Sequence, residues 1–99
     1  MILFDIIQDN EERAIAMSNY LIKNNFAIQT HIDTNRIVSA NGHKQTVRLF
    51  FITKALLYTI IEKEIKEHFS CPEMIIYATP ISQINEEFGE LLRTHIKAI

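Results

Sequence analysis

Near the middle of the chain, Asn41-Gly42 stands between two stretches of strand-forming residues. This dipeptide constrains the fold more than any other feature. Asn and Gly both tolerate the positive φ that a two-residue type I′ turn demands, so the flanking stretches are expected to fold back on each other as antiparallel strands. On the upstream side Phe26, Ile28, Thr30 and Ile32 alternate with Ala27, Gln29, His31 and Asp33, the period-two pattern of a half-buried strand. Ile37-Val38 continues that strand after a polar interruption at Asp33–Arg36, which reads as a bulge. Downstream, Thr46-Val47-Arg48-Leu49-Phe50-Phe51-Ile52 is rich in β-branched and aromatic residues. Its first half alternates, whereas its end is continuously apolar, as in a strand covered on both faces.

The elements around this hairpin follow from the same periodicities. Ile2–Ile7 is a short Ile-rich run that suits a central strand. Asp9, with Glu12 three residues on, forms a capping-box-like start to a helix. Ala14, Met17 and Leu21, with Ile15 and Ile22, give that helix an apolar face, and Asn24-Asn25 ends it. Thr53 is the expected cap of a second helix with the stripe Leu57, Ile60, Ile61, Ile65 and Phe69, stopped by Pro72. Met74–Ala78 reads as a fourth strand, Thr79-Pro80 as a turn. A last helix carries Phe88, Leu91, Leu92, His95, Ile96 and Ile99 on one side, with Gly89 in its interior.

The order β-α-β-β-α-β plus a terminal helix defines an α+β protein of ferredoxin-like plan, an antiparallel four-stranded sheet with two helices on one face. Ninety-nine residues make one domain, spanning 1–99, with only two Gly and two Pro to spend on irregular loops. The middle hairpin is longer than so small a sheet requires, and the sheet's second face lacks a cover. Copies of the same chain are expected to bury both.

Composition narrows the function classes. Ten basic against twelve acidic residues give a net charge of −2, which argues against a dedicated nucleic-acid binder. The pair Phe50-Phe51 lies in apolar text, unlike the aromatics of RNA-binding sheets, which sit among Lys and Arg. No apolar run approaches the ~20 residues of a spanning helix, and the N-terminus lacks the basic region of a signal peptide. With a single Cys, the expectation is a cytoplasmic protein without a disulfide framework.

Several residues could carry chemistry. His68 and Cys71 spell H-x-x-C at a helix end, and sulfur with imidazole suits copper(I) or zinc. His31 offers a third donor from another element, and neighbouring chains could complete the shell. Plain structural roles are open to the same residues: His68 favoured by the helix dipole, Cys71 as a small apolar filler. Glu73, at a strand entrance, could bind a cation or accept backbone N–H groups. His95 lies on the apolar face of the last helix, where a core or interface role suits it, and His43 follows the turn glycine. Arg48 and Lys54 could hold a phosphate, although no Gly-rich loop accompanies them. Neither a G-x-S-x-G elbow nor H-E-x-x-H occurs, and nothing identifies a third group to orient a Cys71–His68 pair, so the chain reads as non-enzymatic.

Four stretches together resemble the CutA divalent-cation tolerance family, trimeric relatives of the PII signalling fold. Asn10-Glu11-Glu12-Arg13-Ala14 through Phe26-Ala27 is similar to that family's first helix and second strand. Phe51-Ile52-Thr53-Lys54 is similar to its L-I-K-T segment. His68-Phe69-Ser70-Cys71-Pro72-Glu73-Met74-Ile75 resembles H-P-Y-x-V-P-E-I-I, with Pro72-Glu73 the sharpest match. Asn85-Glu86-Glu87-Phe88 to Leu92 resembles the closing N-P-x-Y-x-x-W-L helix. The chain departs from the pattern at Ala40, where the family carries Trp, and at Gln29, where it carries Cys. The resemblance implies a homotrimer that handles divalent metal, copper or zinc, with Glu73 in the family-like position. The PII kinship implies an alternative, a regulatory module that binds a small effector in clefts between subunits.

Overall fold

A computed structural model describes residues 1–98 of the chain. The elements run β1 (Ile2–Gln8), α1 (Glu11–Lys23), β2 (His31–Ser39), β3 (Gly42–Thr53), a single 3₁₀ turn (Ala55–Leu57), α2 (Tyr58–His68), β4 (Ile75–Pro80) and α3 (Glu86–His95). The strands form one sheet in the order β2-β3-β1-β4, and every pairing is antiparallel. This is the α+β, ferredoxin-like plan expected from the sequence, with the additional C-terminal helix in place.

The sheet sorts its residues by parity. Facing the helices are Phe4 and Ile6 of β1 with their β3 partners Phe51 and Leu49. Phe4 stacks on Phe51 with ring centroids 5.1 Å apart, and Tyr58 at the start of α2 lies 5.1 Å from Phe4 on another side. Met17 and Leu21 of α1, Ile61 and Ile65 of α2, and Leu92 and Ile96 of α3 join this one core. Leu3, Asp5 and Ile7 point to the opposite face, beside Arg48, Phe50 and Ile52 of β3 and Ile75 and Tyr77 of β4. That face stays open: Ile75 and Tyr77 are 45% and 43% exposed.

The hairpin projects. β1 supports β3 only from Val47 to Thr53, so Gly42–Thr46 pairs with β2 alone and the molecule stretches to 43 Å.

Several local expectations are corrected. The cap of α1 is Asn10, whose side chain accepts from the Arg13 N–H at 2.8 Å; Asp9 pairs with the Arg13 guanidinium at 3.2 Å instead. β2 starts at His31, five residues later than its alternation suggests. Asn25 takes φ 60, and the N–H groups of Phe26 and Ala27 both turn back to Leu21 O, at 2.9 and 3.3 Å, so they close α1 instead of joining a ladder. No bulge interrupts Asp33–Arg36, because pairing runs unbroken from His31↔Phe50 to Ser39↔Gly42. The turn places Ala40 and Asn41 at its centre, and only Gly42 takes positive φ, at 107. Gly42 alone therefore meets the left-handed requirement, without a Cβ to oppose it.

Thr53 does not cap α2. It ends β3, fully buried, and its hydroxyl donates to Phe26 O at 2.8 Å, tying the α1–β2 connection to the sheet. Thr79 and Pro80 extend β4 instead of turning. β4 is an edge strand, where the missing N–H of proline is tolerated. His95 is exposed rather than on the buried side of α3, as is Leu91; Leu92 and Ile96 carry that side. Ile99, expected on the same face, lies outside the described residues.

Candidate functional site

The open face carries a charged centre. Asp5 is 1% exposed, and its Oδ1 accepts from Arg48 Nε at 2.6 Å. Arg48 Nη1 lies 3.9 Å from Asp33 of β2, and the guanidinium sits 4.0 Å above the Phe50 ring. His31 stacks on the same Phe50 ring, with centroids 5.0 Å apart. Asp5 Oδ2 has no hydrogen-bond partner in the chain. Arg48 is thus committed to an ion pair on the face. Lys54, its expected companion at a phosphate, is occupied elsewhere: Nζ donates to Ile96 O and Lys97 O at 3.2 and 3.3 Å, closing the C-terminus of α3. The two cations do not form a phosphate cradle in the single chain.

The other expected site residues fall into three separate environments. His68, in the last turn of α2, stacks on Tyr20 at 4.7 Å, and its Nδ1 lies 2.9 Å from Glu64 O and 3.3 Å from the Tyr20 hydroxyl. The same hydroxyl donates to Glu64 Oε2 at 3.1 Å, so Tyr20 clasps α1 to α2. Partial burial, then the carboxylate of Glu64, push the Tyr20 phenol above its ordinary pKa.

Cys71 lies beyond the helix end. Arg13 Nη1 is 3.0 Å from its Sγ, and the same guanidinium reaches Gln8 Oε1 at 3.1 Å. His31 stays on the sheet face. Among the described residues, no three His, Cys, Asp or Glu side chains converge in the manner of a metal centre. The H-x-x-C spacing does not bring its two donors to a common partner, because the chain leaves the helix at Phe69 and the two side chains face different neighbours.

Glu73 occupies the most distinctive position. It takes φ 65, uncommon for a residue with a Cβ, in the bend that leads from Pro72 into β4. Its Oε2 receives Lys44 Nζ at 2.8 Å from the projecting part of β3. Glu73 and that hydrogen bond raise the Lys44 pKa. The pair spans a cleft between the hairpin and the start of β4. The cleft's outer part, about 310 Å³, is lined by Ile37, Ser39, His43, Lys44, Glu73 and Ile75. Lys44 carried no signal in the sequence: it becomes part of a site only because β1 ends early and leaves β3 facing the Glu73 bend across the gap.

An open-faced ferredoxin-like sheet with an overlong hairpin and an acidic residue at the entrance to β4 defines a class of architecture, and the solved structures give that class a name. The fold is that of the CutA divalent cation tolerance proteins. CutA1 from Pyrococcus horikoshii superposes with a TM-score of 0.89 at 18% identity, covering 99% of this chain and 100% of that one. CutA1 from the psychrotrophic bacterium Shewanella sp. SIB1 gives 0.88 at 14% identity over 98% and 95%. The protein described as a periplasmic divalent cation tolerance protein CutA, from Archaeoglobus fulgidus, gives 0.83 at 17% over 98% and 100%. No protein-family model and no curated protein matches the sequence. No described helix is long and apolar enough to cross a membrane.

Proposed function

We propose that this chain is a divergent, non-enzymatic CutA-like protein that assembles as a homotrimer and binds divalent metal, copper or zinc, in a cytoplasmic role of metal tolerance. The observation that carries the reading is the end-to-end superposition on proteins described by divalent cation tolerance, at TM-scores up to 0.89. The open face supports assembly. Ile75 and Tyr77 there are 45% and 43% exposed, and a second copy would bury them. Because His68, Cys71, Glu73 and His31 stand apart within one chain, a metal shell built from them requires donors from neighbouring copies.

Sedimentation at micromolar concentration tests the assembly, and a monomer there rejects it. Calorimetric titration of the metal-stripped protein with copper and zinc tests the binding. Stoichiometric uptake, weakened at least tenfold (about 1.4 kcal/mol) by His68→Ala, Cys71→Ser or Glu73→Gln, is the expected result. The absence of uptake rejects metal binding.

The 310 Å³ cleft beside Glu73 favours a second reading, a PII-like module that takes a small effector there. Under that reading a nucleotide or metabolite raises the melting temperature and metals do not.

A further inference from the structure

Asn41 and Gly42 stand exposed at the free end of the projecting hairpin. Gly42 takes φ 107, and a Cβ placed on it would meet nothing within 4 Å, so no side chain shields this part of the turn. The turn's own bonds are long. The Asn41 N–H donates to Ser39 Oγ at 3.3 Å, and the Ser39 hydroxyl donates to Gly42 O at 3.4 Å. Neither bond engages the Asn41 carboxamide. Ser39↔Gly42 is the terminal rung of the β2–β3 ladder, with no third strand beside it, so its transient opening costs little.

The other asparagines are held differently. Asn10 Oδ1 caps α1, and the side-chain amides of Asn24, Asn35 and Asn85 donate to Tyr20 O, Asp33 and Glu87. Asn19 lies inside α1, where the following N–H belongs to the helix ladder. Asn25 is followed by Phe26, whose N–H is tied to Leu21 O at 2.9 Å. Asn41 alone precedes a glycine, whose nitrogen no Cβ shields from a neighbouring carbonyl carbon.

We propose that Asn41 is a site of spontaneous deamidation, through a cyclic imide formed with the Gly42 nitrogen, and that this covalent change remodels the hairpin tip. Hydroxide takes the proton of the Gly42 N–H. The nitrogen's electron pair attacks Asn41 Cγ and forms the N–Cγ bond. The Cγ–Nδ2 bond then breaks, and Nδ2 leaves as ammonia after taking a proton from water, which returns the hydroxide. Water next opens the imide at one of its two carbonyls. Opening at the main-chain carbonyl leaves the backbone running through Cβ as an isoaspartyl linkage; opening at Cγ leaves an ordinary aspartyl residue. The net change is one water consumed and one ammonia released, with no oxidation or reduction.

Both products put a carboxylate in place of a neutral amide, on a tip that also carries Arg36, His43 and Lys44. The isoaspartyl product also adds one carbon to the main chain of the turn, which the Ser39↔Gly42 rung does not accommodate. Ser39, Asn41, Gly42 and His43 line the outer cleft, so its wall moves with them. The reaction needs neither metal nor effector, and it stands or falls apart from the function proposed above.

The test is incubation of the purified full chain at mildly alkaline pH, followed by proteolysis and mass spectrometry. The peptide holding Asn41 is expected first to lose ammonia and then to gain water. Its rate should lie within several-fold of that in the urea-unfolded chain, while the other asparagines stay intact. Gly42→Ala slows the reaction at least tenfold, about 1.4 kcal/mol of barrier. Alanine resists the positive φ, so Asn41→Gln is the second variant: position 41 has no positive φ to oppose a side chain, and the larger ring that Gln requires stops the reaction. In ¹H–¹⁵N spectra the aged chain shows shifted signals for Ser39–Lys44 and unchanged ones for Val47–Thr53. An Asn41 that reacts more than tenfold slower folded than unfolded, equal loss at the other asparagines, or an aged chain whose Ser39–Lys44 signals have not moved would each overturn the proposal.

Discussion

Replacing Arg48 by Met is expected to be among the most destabilising single changes available in this chain. Arg48 is the hydrogen-bond partner of Asp5, at 2.6 Å, and Asp5 is 1% exposed with its second oxygen already unsatisfied. Removing the guanidinium leaves a buried carboxylate with no compensating partner, at a cost of about 3–5 kcal/mol. The methionine recovers some apolar contact with Phe50 but none of the charge. The total stability of a domain this size is typically about 5–15 kcal/mol, so the loss is a large fraction of it. In urea, where m is about 1–3 kcal/mol/M, the midpoint should fall by at least roughly 1 M. The assay is urea unfolding followed by circular dichroism at one fixed protein concentration, because the proposed assembly would make stability concentration-dependent. The partner experiment is the double variant Asp5→Leu with Arg48→Met. It removes both charges together and should recover most of the loss, since an apolar replacement of a buried pair is often neutral or better. A single variant that loses less than about 1 kcal/mol, or a double variant no more stable than the single, would refute the view that Asp5 depends on Arg48.

Other outcomes follow from single features. Gly89→Ala should raise stability by about 1 kcal/mol, about 4–8 °C in melting temperature, because a Cβ there meets Ile84 Cγ2 at an ordinary 3.5 Å and the helix gains a better former; calorimetry reads the shift. Asn10→Ala should cost about 1 kcal/mol through loss of the cap on α1, seen as a lower urea midpoint. The Tyr20 phenol has its pKa raised above 10.0 in the folded state, so its contribution is fully present below pH 10 and is lost as pH rises through the higher folded value. Tyr20→Phe should flatten that alkaline decline in the unfolding midpoint, and an unchanged decline would show that Tyr20 does not cause it.

Periodicity revealed the elements because each stripe of apolar residues is a local signal. It placed β1, the β2–β3 pair and all three helices. It failed where a residue's partner lies far along the chain. Phe26 and Ala27 alternate like a strand, yet their N–H groups serve Leu21 O, and only the position of Thr53 across the sheet shows why that connection is fixed. Thr53 looked like a cap because a Thr before a helix usually is one; burial under the α1–β2 connection decided otherwise. The site was less legible still. Asp5 sits in an otherwise apolar run, 43 residues from the arginine that neutralises it. Lys44 gains meaning only from meeting Glu73, 29 positions on. The H-x-x-C spacing was visible, but the turn of the backbone at Phe69 sends its two side chains to different partners.

The hairpin that runs past the end of β1 has a bearing on how this protein can be watched in solution. Backbone amides of Gly42–Thr46 that point away from β2 meet no strand in the same chain, because β1 has already ended. In an isolated chain such amides exchange their hydrogens with solvent far faster than those of Val47–Thr53, which lie between two strands. Seating the projecting strand against another copy, as the proposed assembly requires, would shut off that exchange without altering the fold. The ratio of deuterium uptake in these two adjoining segments of β3 therefore works as an internal gauge of assembly, one that requires no known ligand.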